Sequence, residues 1–486
     1  MQTLTLIISL VLLPLLLVRL LRWLAWVQQK EYRPDRLWQF VLSEEGVQEL
    51  LRLLPRKTDF TRTGLKRPAM TARAAMTGFL SLILIGYTLT AAYSFSWWWL
   101  SVLAYLFLPI FPAATAVLTE LGKSILSTGL LFAAQRKVAA TKPTIIGVTG
   151  SYGKTTTRHL VAHVLSQQFT VYTPPRSHNT PISIAWNLLR NYRQQEFLVL
   201  EYAAYKKGEI KRLARWFKPL VSIVTGVTEQ HLALFGSIEK IIEAKGELVK
   251  ATKLDGQVFY NGSDERVIQI CRQDTSKKAV PYAGLSSVVK IDKAKLNDKG
   301  RLQFAWQGKT IVTHLSVLYS TKAMQAAIAV GQYFKVPDKK IAAGLSSFLP
   351  TDNYIQVYPH KNQGYLIIND GKTSNPQGFL GALELLGHFK KQGKNTVLLT
   401  SGIIDLGDQS DEIHLKLAKA AAEVADLVLY AGVDGRHIFK EIFGNNLTGN
   451  LETIKTVMEK LNEKDVILLE GNVPKWLNQE LQRNYD

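Results

Sequence analysis

Thr144-Ile145-Ile146-Gly147-Val148-Thr149-Gly150-Ser151-Tyr152-Gly153-Lys154-Thr155-Thr156-Thr157 is the stretch that decides the fold of this chain. Residues 144–148 are β-branched or small and read as a buried parallel strand. A glycine-rich turn follows, then Lys-Thr, then a helical pattern through Leu165. Strand, turn and helix in this order form a phosphate-binding layout. Glycines let backbone N–H groups approach phosphate oxygens, and the helix N-terminus adds positive potential. Lys154 is placed to neutralise the β- and γ-phosphates of ATP, and Thr155 to ligate Mg²⁺. Thr149, Gly150, Ser151, Tyr152, Gly153 and Thr156 complete the expected nucleotide contact. Val148 occupies the place of the first glycine in the usual G-x-x-x-x-G-K-[ST] pattern.

Upstream the chain changes character. Residues 1–18 carry no charged side chain, and Arg19 and Arg22 follow. Between Arg73 and Glu120 lie 46 uncharged residues, with Phe95-Ser96-Trp97-Trp98-Trp99 near their middle. These runs predict a membrane region over 1–142, with spans at about 3–22, 74–93 and 97–118. The cations follow the first apolar run rather than preceding it, which predicts an uncleaved anchor and not a signal peptide. The loop from Arg19 to Arg73 is basic, so the positive-inside rule puts it, and everything after Leu121, in the cytoplasm. The expectation is a multi-pass protein of the cytoplasmic membrane with its catalytic domains in the cytoplasm. Residues 125–134 predict a short interfacial helix. The net charge of +20 fits a membrane-lipid surface. No nucleic-acid-binding signature accompanies it. The single cysteine, Cys271, excludes a disulfide framework within one chain.

Downstream, residues 197–201 read as a second buried strand ending in Glu201. A carboxylate at a strand's C-terminal edge beside a phosphate loop is where α/β folds hold metal ligands. Residues 221–227 predict a third strand, leading to Glu229-Gln230-His231-Leu232, and residues 238–250 a helix carrying Lys245. On their own, His231 is a surface or packed histidine and Lys245 a solvated helix residue. Residues 288–318 alternate as a small β excursion, and 321–334 read as a helix. Strands are expected again at 365–370, 396–400, 427–431 and 466–469, alternating with helices. The fold class is therefore α/β: a phosphate-loop domain with a mainly parallel sheet over 143–349, then a Rossmann-like α/β domain over 350–486.

The T-G-x-x-G-K-T loop preceded by valine resembles that of the Mur ligases. The likeness runs on through Ser177-His178-Asn179-Thr180-Pro181, Lys207-Gly208-Glu209-Ile210 and Ala244-Lys245-Gly246-Glu247. In the second domain Asn369-Asp370-Gly371-Lys372-Thr373-Ser374-Asn375-Pro376 is similar to D-D-S-Y-N-x-N-P of the dipeptide-adding branch. The segment from Ser401 through Asp405, Ser410 and His414 is similar to its G-D-M-x-E-L-G-x-x-S-x-x-x-H.

The resemblance implies an ADP-forming amide-bond ligase. A carboxylate takes the γ-phosphate of ATP, and an amine displaces phosphate from the acyl phosphate. It also implies roles for single residues. Asn179 would approach the adenine and Asp370 the nucleotide. Glu201, His231, Thr155 and a carbamylated Lys245 would hold two Mg²⁺ ions, and Lys154, His231 and Lys245 would carry catalysis. Asn375, Asp405 and His414 would face substrate, although Asp405 and His414 equally suit a structural role beside a helix start. The implied partners are a cell-wall precursor and an amino acid or dipeptide; nothing in the sequence sets the oligomeric state.

Three departures leave the substrate open. Thr321-Lys322-Ala323-Met324-Gln325 stands where the family has H-N-x-x-N, Asp352-Asn353 where it has Gly-Arg, and no counterpart of the UDP-sugar-binding domain is expected. D-Ala-D-Ala addition, extension of a γ-glutamyl polymer, and a non-catalytic ATP-binding scaffold therefore remain as alternatives.

Overall fold

The structure, a computed structural model, describes residues 1–30, 32–56, 68–175, 178–228, 235–274, 276–350, 354–370, 375–403, 406 and 409–471. They divide into two compact units, Met1–Leu130 and Leu131–Asp486.

The first unit is helical: α1 (Gln2–Gln29), α2 (Pro34–Leu42), α3 (Glu44–Leu51), α4 (Ala72–Ser94), α5 (Trp98–Leu106) and α6 (Ile110–Thr141), the last running on into the second unit. By length and composition α1, α4 and α6 are long and apolar enough to cross a membrane. Leu16, Leu20, Trp23, Trp26, Phe40, Ile85 and Tyr105 form the core of this unit, with the rings of Trp26 and Phe40 stacked at 4.2 Å. The buried Arg19 guanidinium donates to the carbonyls of Tyr105 (2.6 Å) and Leu50 (3.0 Å), so its burial is compensated by hydrogen bonds.

Two expectations change here. The segment expected as one span over 97–118 is broken between α5 and α6, because Pro109 disfavours helix at the residue before it and supplies no N–H. The short helix expected over 125–134 is absorbed into α6.

The second unit opens with β1 (Thr144–Thr149), α7 (Lys154–Leu165), β2 (Val171–Tyr172), α8 (Pro181–Asn191), β3 (Phe197–Glu201), α9 (Glu209–Trp216), β4 (Val221–Val224), α10 (Ile238–Ala251), β5 (Gln257–Asn261), α11 (Glu265–Arg272) and β6 (Lys278–Ala283). These six strands form one parallel sheet in the order β2-β3-β1-β4-β5-β6. Strand β1 lies between β3 and β4, so the sheet order reverses there and a crevice opens at the strands' carboxyl ends. β4 stops at Val224, short of the expected 227, because Thr225 and Gly226 turn to bond the phosphate loop. The core beneath the loop comprises Ile146, Val148, Leu160, Val164, Val199, Ile223 and Ile328.

A three-stranded antiparallel sheet follows, β7 (Asp292–Leu296), β8 (Leu302–Trp306) and β9 (Lys309–Val312), then α12 (Ser320–Tyr333) and α13 (Asp338–Ser347). The last part comprises β10 (Gln356–Pro359), β11 (Leu366–Asp370), α14 (Pro376–Lys391), β12 (Asn395–Thr400), α15 (Ser410–Val424), β13 (Leu427–Tyr430), α16 (Arg436–Phe443), β14 (Leu447–Thr448), α17 (Leu451–Lys460) and β15 (Asp465–Glu470). Its sheet runs β10-β11-β15-β12-β13-β14, parallel except for β10. The turn between β7 and β8 reaches this part: His388 on α14 donates to the carbonyl of Asn297 (2.9 Å). Gly300, at φ +70°, packs so close to Phe389 that a Cβ there would lie 2.8 Å from the ring.

A chain lacking residues 1–121 is expected to stay folded and to unfold cooperatively on heating, because the second unit holds its own cores. Calorimetry of the truncated chain checks this; a chain with no transition would contradict it.

Candidate active site

The phosphate loop is locked to the end of β4. Ser151 N–H donates to the carbonyl of Gly226 (2.6 Å), and the Thr225 hydroxyl lies 2.5 Å from the Tyr152 carbonyl. Gly150 has φ +150°, and a Cβ there would fall 2.1 Å from Thr225 Oγ1, so only glycine fits. Gly153, at φ +72°, starts α7 without a side-chain cap, which leaves the first-turn N–H groups directed at the crevice. Lys154 Nζ donates back to the Ser151 carbonyl (2.8 Å). Val148 is fully buried in β1, in register with Glu201 on β3 and Ile223 on β4, where it serves the core. Thr149 is also fully buried, and its hydroxyl donates to the Tyr202 carbonyl (2.8 Å), so its side chain braces the loop.

Glu201 ends β3 and is 2% exposed. Its Oε2 accepts from Thr155 Oγ1 (2.9 Å) and its Oε1 from Asn179 Nδ2 (3.0 Å). Arg158 Nε lies 3.8 Å from Oε2. Thr155 and Arg158 stand three residues apart on α7, one turn along a single face, which is the signal that could have found Arg158. Asn179, expected at the adenine, is thus tied to the carboxylate.

Lys245 on α10 is 4% exposed, and its pKa is brought down to about 7. Burial is the main cause and the charge of Lys154 the next, opposed by Glu201, Glu209 and Glu247. Burial likewise lowers Lys154 against the pull of Glu201. Two lysines and one carboxylate taken out of water leave this pocket with surplus positive charge. A triphosphate answers that surplus, and the Glu201–Thr155 oxygen pair is a hard donor set suited to Mg²⁺. Among the described residues no group of three or more His, Cys, Asp or Glu converges on a metal position. An ion that keeps waters and phosphate oxygens as ligands needs no such group. His231 lies outside the described residues.

These groups line a cleft of about 400 Å³ between the parallel sheet and the second mixed sheet. From the far side come Asp370, Asn375 and Gln377, with Tyr319, Ser320 and Tyr354 between. Asp370 ends β11 in register with Glu470 on β15. Burial raises Asp370 to about 6, against a hydrogen bond with Glu470. Asn375 accepts from Gly378 N–H (2.9 Å), capping α14 while also lining the cleft. Asp405 lies outside the described residues.

His414, expected to face substrate, is fully buried with both ring nitrogens engaged. Nε2 accepts from Ile403 N–H (3.1 Å), so Nδ1 carries the proton and donates to the Ser410 carbonyl (2.7 Å). Burial keeps it below the usual histidine pKa, hence neutral. It ties the loop after β12 to α15 and has no nitrogen left for a ligand. Arg158, Tyr319, Tyr354 and Glu470 belong to the site or its supports and were not legible beforehand.

A phosphate loop at the switch point of a parallel sheet, facing a second α/β sheet across the cleft, defines a nucleotide-binding α/β protein of two sheets. Residues 148–332 match the Mur ligase middle domain. Over 338 residues the chain is 28% identical to the UDP-N-acetylmuramoyl-tripeptide–D-alanyl-D-alanine ligase of Bacillus subtilis, covering 68% of this chain and 73% of that one. The same-named ligase of Mycobacterium tuberculosis (strain H37Rv) is 27% identical over 345 residues, covering 69% and 66%. In fold, the MurF ligase of Thermotoga maritima in complex with ADP superposes with a TM-score of 0.64 at 22% identity, over 74% of this chain and 83% of that one. Residues 148–332 are therefore those of a Mur ligase middle domain.

That similarity corrects the placement expected from the sequence. The ligases matched are soluble cytoplasmic enzymes, so a multi-pass protein of the cytoplasmic membrane is not supported. The apolar helices stand as a fact of length and composition.

His414→Ala is expected to lower stability by about 2–3 kcal/mol, since it strands the buried Ile403 N–H and opens a cavity. It should leave the KM for ATP within twofold. Denaturant titration and steady-state kinetics check both; a large KM change at unchanged stability would return His414 to the ligand-binding set.

Proposed function

We propose that the chain is an ATP-dependent, ADP-forming amide-bond ligase that adds D-alanyl-D-alanine, or a similar amine donor, to a peptidoglycan-precursor peptide. The observation that carries this reading is the pocket in which Lys154 and Lys245 flank the buried Glu201–Thr155 pair at the phosphate loop. The names of the relatives support the choice of substrates. In this reading residues 143–349 are the ATP-binding domain and 350–486 the domain that brings in the amine.

Lys154 and the first-turn N–H groups of α7 hold the β- and γ-phosphates and neutralise charge as the γ-phosphoryl group moves to the acceptor carboxylate. The amine then attacks the acyl carbon and phosphate leaves, so no side-chain nucleophile is required. Glu201 and Thr155 would hold Mg²⁺, with His231 and Lys245 completing a second position; the ions supply charge neutralisation on the phosphate oxygens. Asp370 would contact the nucleotide and Asn375 the incoming peptide.

Lys245 is suited to carbamylation. Only a free amine attacks CO₂, and a lysine with a pKa near 7 is about half unprotonated at neutral pH, against about one in three thousand for an ordinary lysine. Attack of the neutral Nζ on CO₂ forms an N–C bond, opens one C–O π bond onto oxygen and releases one proton; counted from the ammonium, two protons leave and a cation becomes an anion. Asp352-Asn353, one of the departures from the family pattern, lies outside the described residues.

Lys154→Ala should reduce ATP turnover about 100-fold or more, because the loop loses the cation that faces the transferred group. Measuring ADP release with D-Ala-D-Ala and a muramoyl tripeptide present, with mass-spectrometric identification of the product, tests enzyme and substrates together. ATP turnover that ignores every amine offered would refute the ligase reading.

Lys245→Ala should lose activity and recover part of it with added formate or acetate, which can fill the anionic position. Full activity without added carboxylate would show that Lys245 holds no metal.

A further inference from the structure

Behind Glu201 runs a hydrogen-bonded chain that the ligase chemistry does not use directly. Arg158 is fully buried; its Nη1 donates to the Pro174 carbonyl (2.6 Å), its Nε faces Glu201 and its Nη2 lies 2.7 Å from His159 Nε2. A guanidinium only donates, so His159 Nε2 must accept, and the ring proton sits on Nδ1. Nδ1 lies 2.9 Å from the hydroxyl of Tyr354, to which it therefore donates. The Tyr354 hydroxyl in turn is hydrogen-bonded to the side chain of Thr156, in the first turn of α7. The ring of Tyr354 meets Phe348 edge-on at 5.9 Å, and Phe348 meets His163 the same way at 5.6 Å.

Direction and position give this chain its meaning. It starts at the carboxylate expected to hold the metal and returns to the phosphate loop one residue beyond Thr155. It passes through Tyr354, which lines the cleft two residues before β10, the first strand of the second mixed sheet. The residue that links the two sheets is thereby joined, through His159, to the residue that faces Glu201. Burial holds His159 at about 4, so the ring stays neutral and the donor–acceptor order is fixed at physiological pH.

We propose that Arg158, His159 and Tyr354 are positioning residues forming one relay, which aims the Glu201 carboxylate and ties the metal–nucleotide site to the junction with the second sheet. The inference rests on the ligase reading for the identity of the ligand, Mg²⁺ with ATP, and on geometry alone for the relay.

Two measurements test it on the full chain. In long-range ¹H–¹⁵N spectra of the ligand-free protein labelled at histidine, His159 should be the neutral Nδ1–H tautomer, the minor form of a free imidazole. An Nε2–H tautomer or an imidazolium overturns the relay.

The second measurement is binding of a fluorescent mant-ATP with Mg²⁺. Tyr354→Phe removes one oxygen, and His159→Gln keeps an acceptor for Arg158 while moving its donor off the Nδ1 position that faces Tyr354. Each should weaken binding about fivefold, the size of one net hydrogen bond, at unchanged Tm. Both break the same link, so the double variant should bind no worse than the weaker single variant. Unchanged affinity in both single variants, effects that multiply in the double variant, or losses that follow a fall in Tm each overturn the relay. A wild-type chain that binds no Mg²⁺–nucleotide sinks the ligase reading as well, whereas normal wild-type binding with unaffected variants sinks the relay alone.

Discussion

A carboxylate taken out of water at the end of a parallel strand has to be answered by donors or it unfolds its surroundings. Glu201 is that group, and much of the second unit can be understood as the means of answering it. Thr155 donates from the helix after the phosphate loop and Asn179 from the segment leading into α8, while the charge of Arg158 stands 3.8 Å away, one turn further along α7. Each donor belongs to a different part of the β1–β3 crossover or to the helix that follows the loop, so the pocket exists only when that crossover is fully formed. The loop itself is then held by Thr225 and Gly226 from the next strand over.

The charges left over explain what the pocket is for. Lys154 and Lys245 stand in the same desolvated space; burial lowers the proton affinity of both, and the charge of Lys154 lowers that of Lys245 further. Among the described residues Glu201, Glu209 and Glu247 oppose this only in part, and a polyanion with its metal would offset the rest. Across the cleft the electrostatics are reversed: Asp370 and Glu470 meet on neighbouring strands, and Asp370 is pushed toward its neutral form. One sheet therefore presents an anion site and the other an acidic wall, an arrangement in which a phosphorylated group and an amine can be approached from opposite sides.

How much of this was legible depends on how local each feature is. The phosphate loop, its strand and its helix were readable because the requirement for glycine at Gly150 and Gly153 is met within ten residues of chain. Glu201 was readable because a run of buried aliphatics cannot end in a carboxylate without a reason. The apolar run near residue 109 was misjudged as one span since hydropathy does not register what a proline does to the backbone before it. His414 could not be resolved from sequence: its i, i−4 bond to the Ser410 carbonyl and its contact with Ile403 arise only when α15 folds back on the loop after β12. Arg158 and Tyr354 lie 196 positions apart and share a histidine. No period or motif announces such a meeting. His231 and Asp405 lie outside the described residues, and the reading of both rests on the family pattern.

The turn between β7 and β8 bears on how the two sheets can move. It grips α14 through His388 and Phe389, while Tyr354 holds the chain where it passes from one sheet to the other. A body attached to another at two separated points keeps a single rotational freedom, about the line that joins them. Opening and closing of the cleft, so long as both grips persist, is a swing on that axle rather than a general loosening. A substrate too large to enter by that swing would have to break one grip, so the axle acts as a gauge on what the cleft admits.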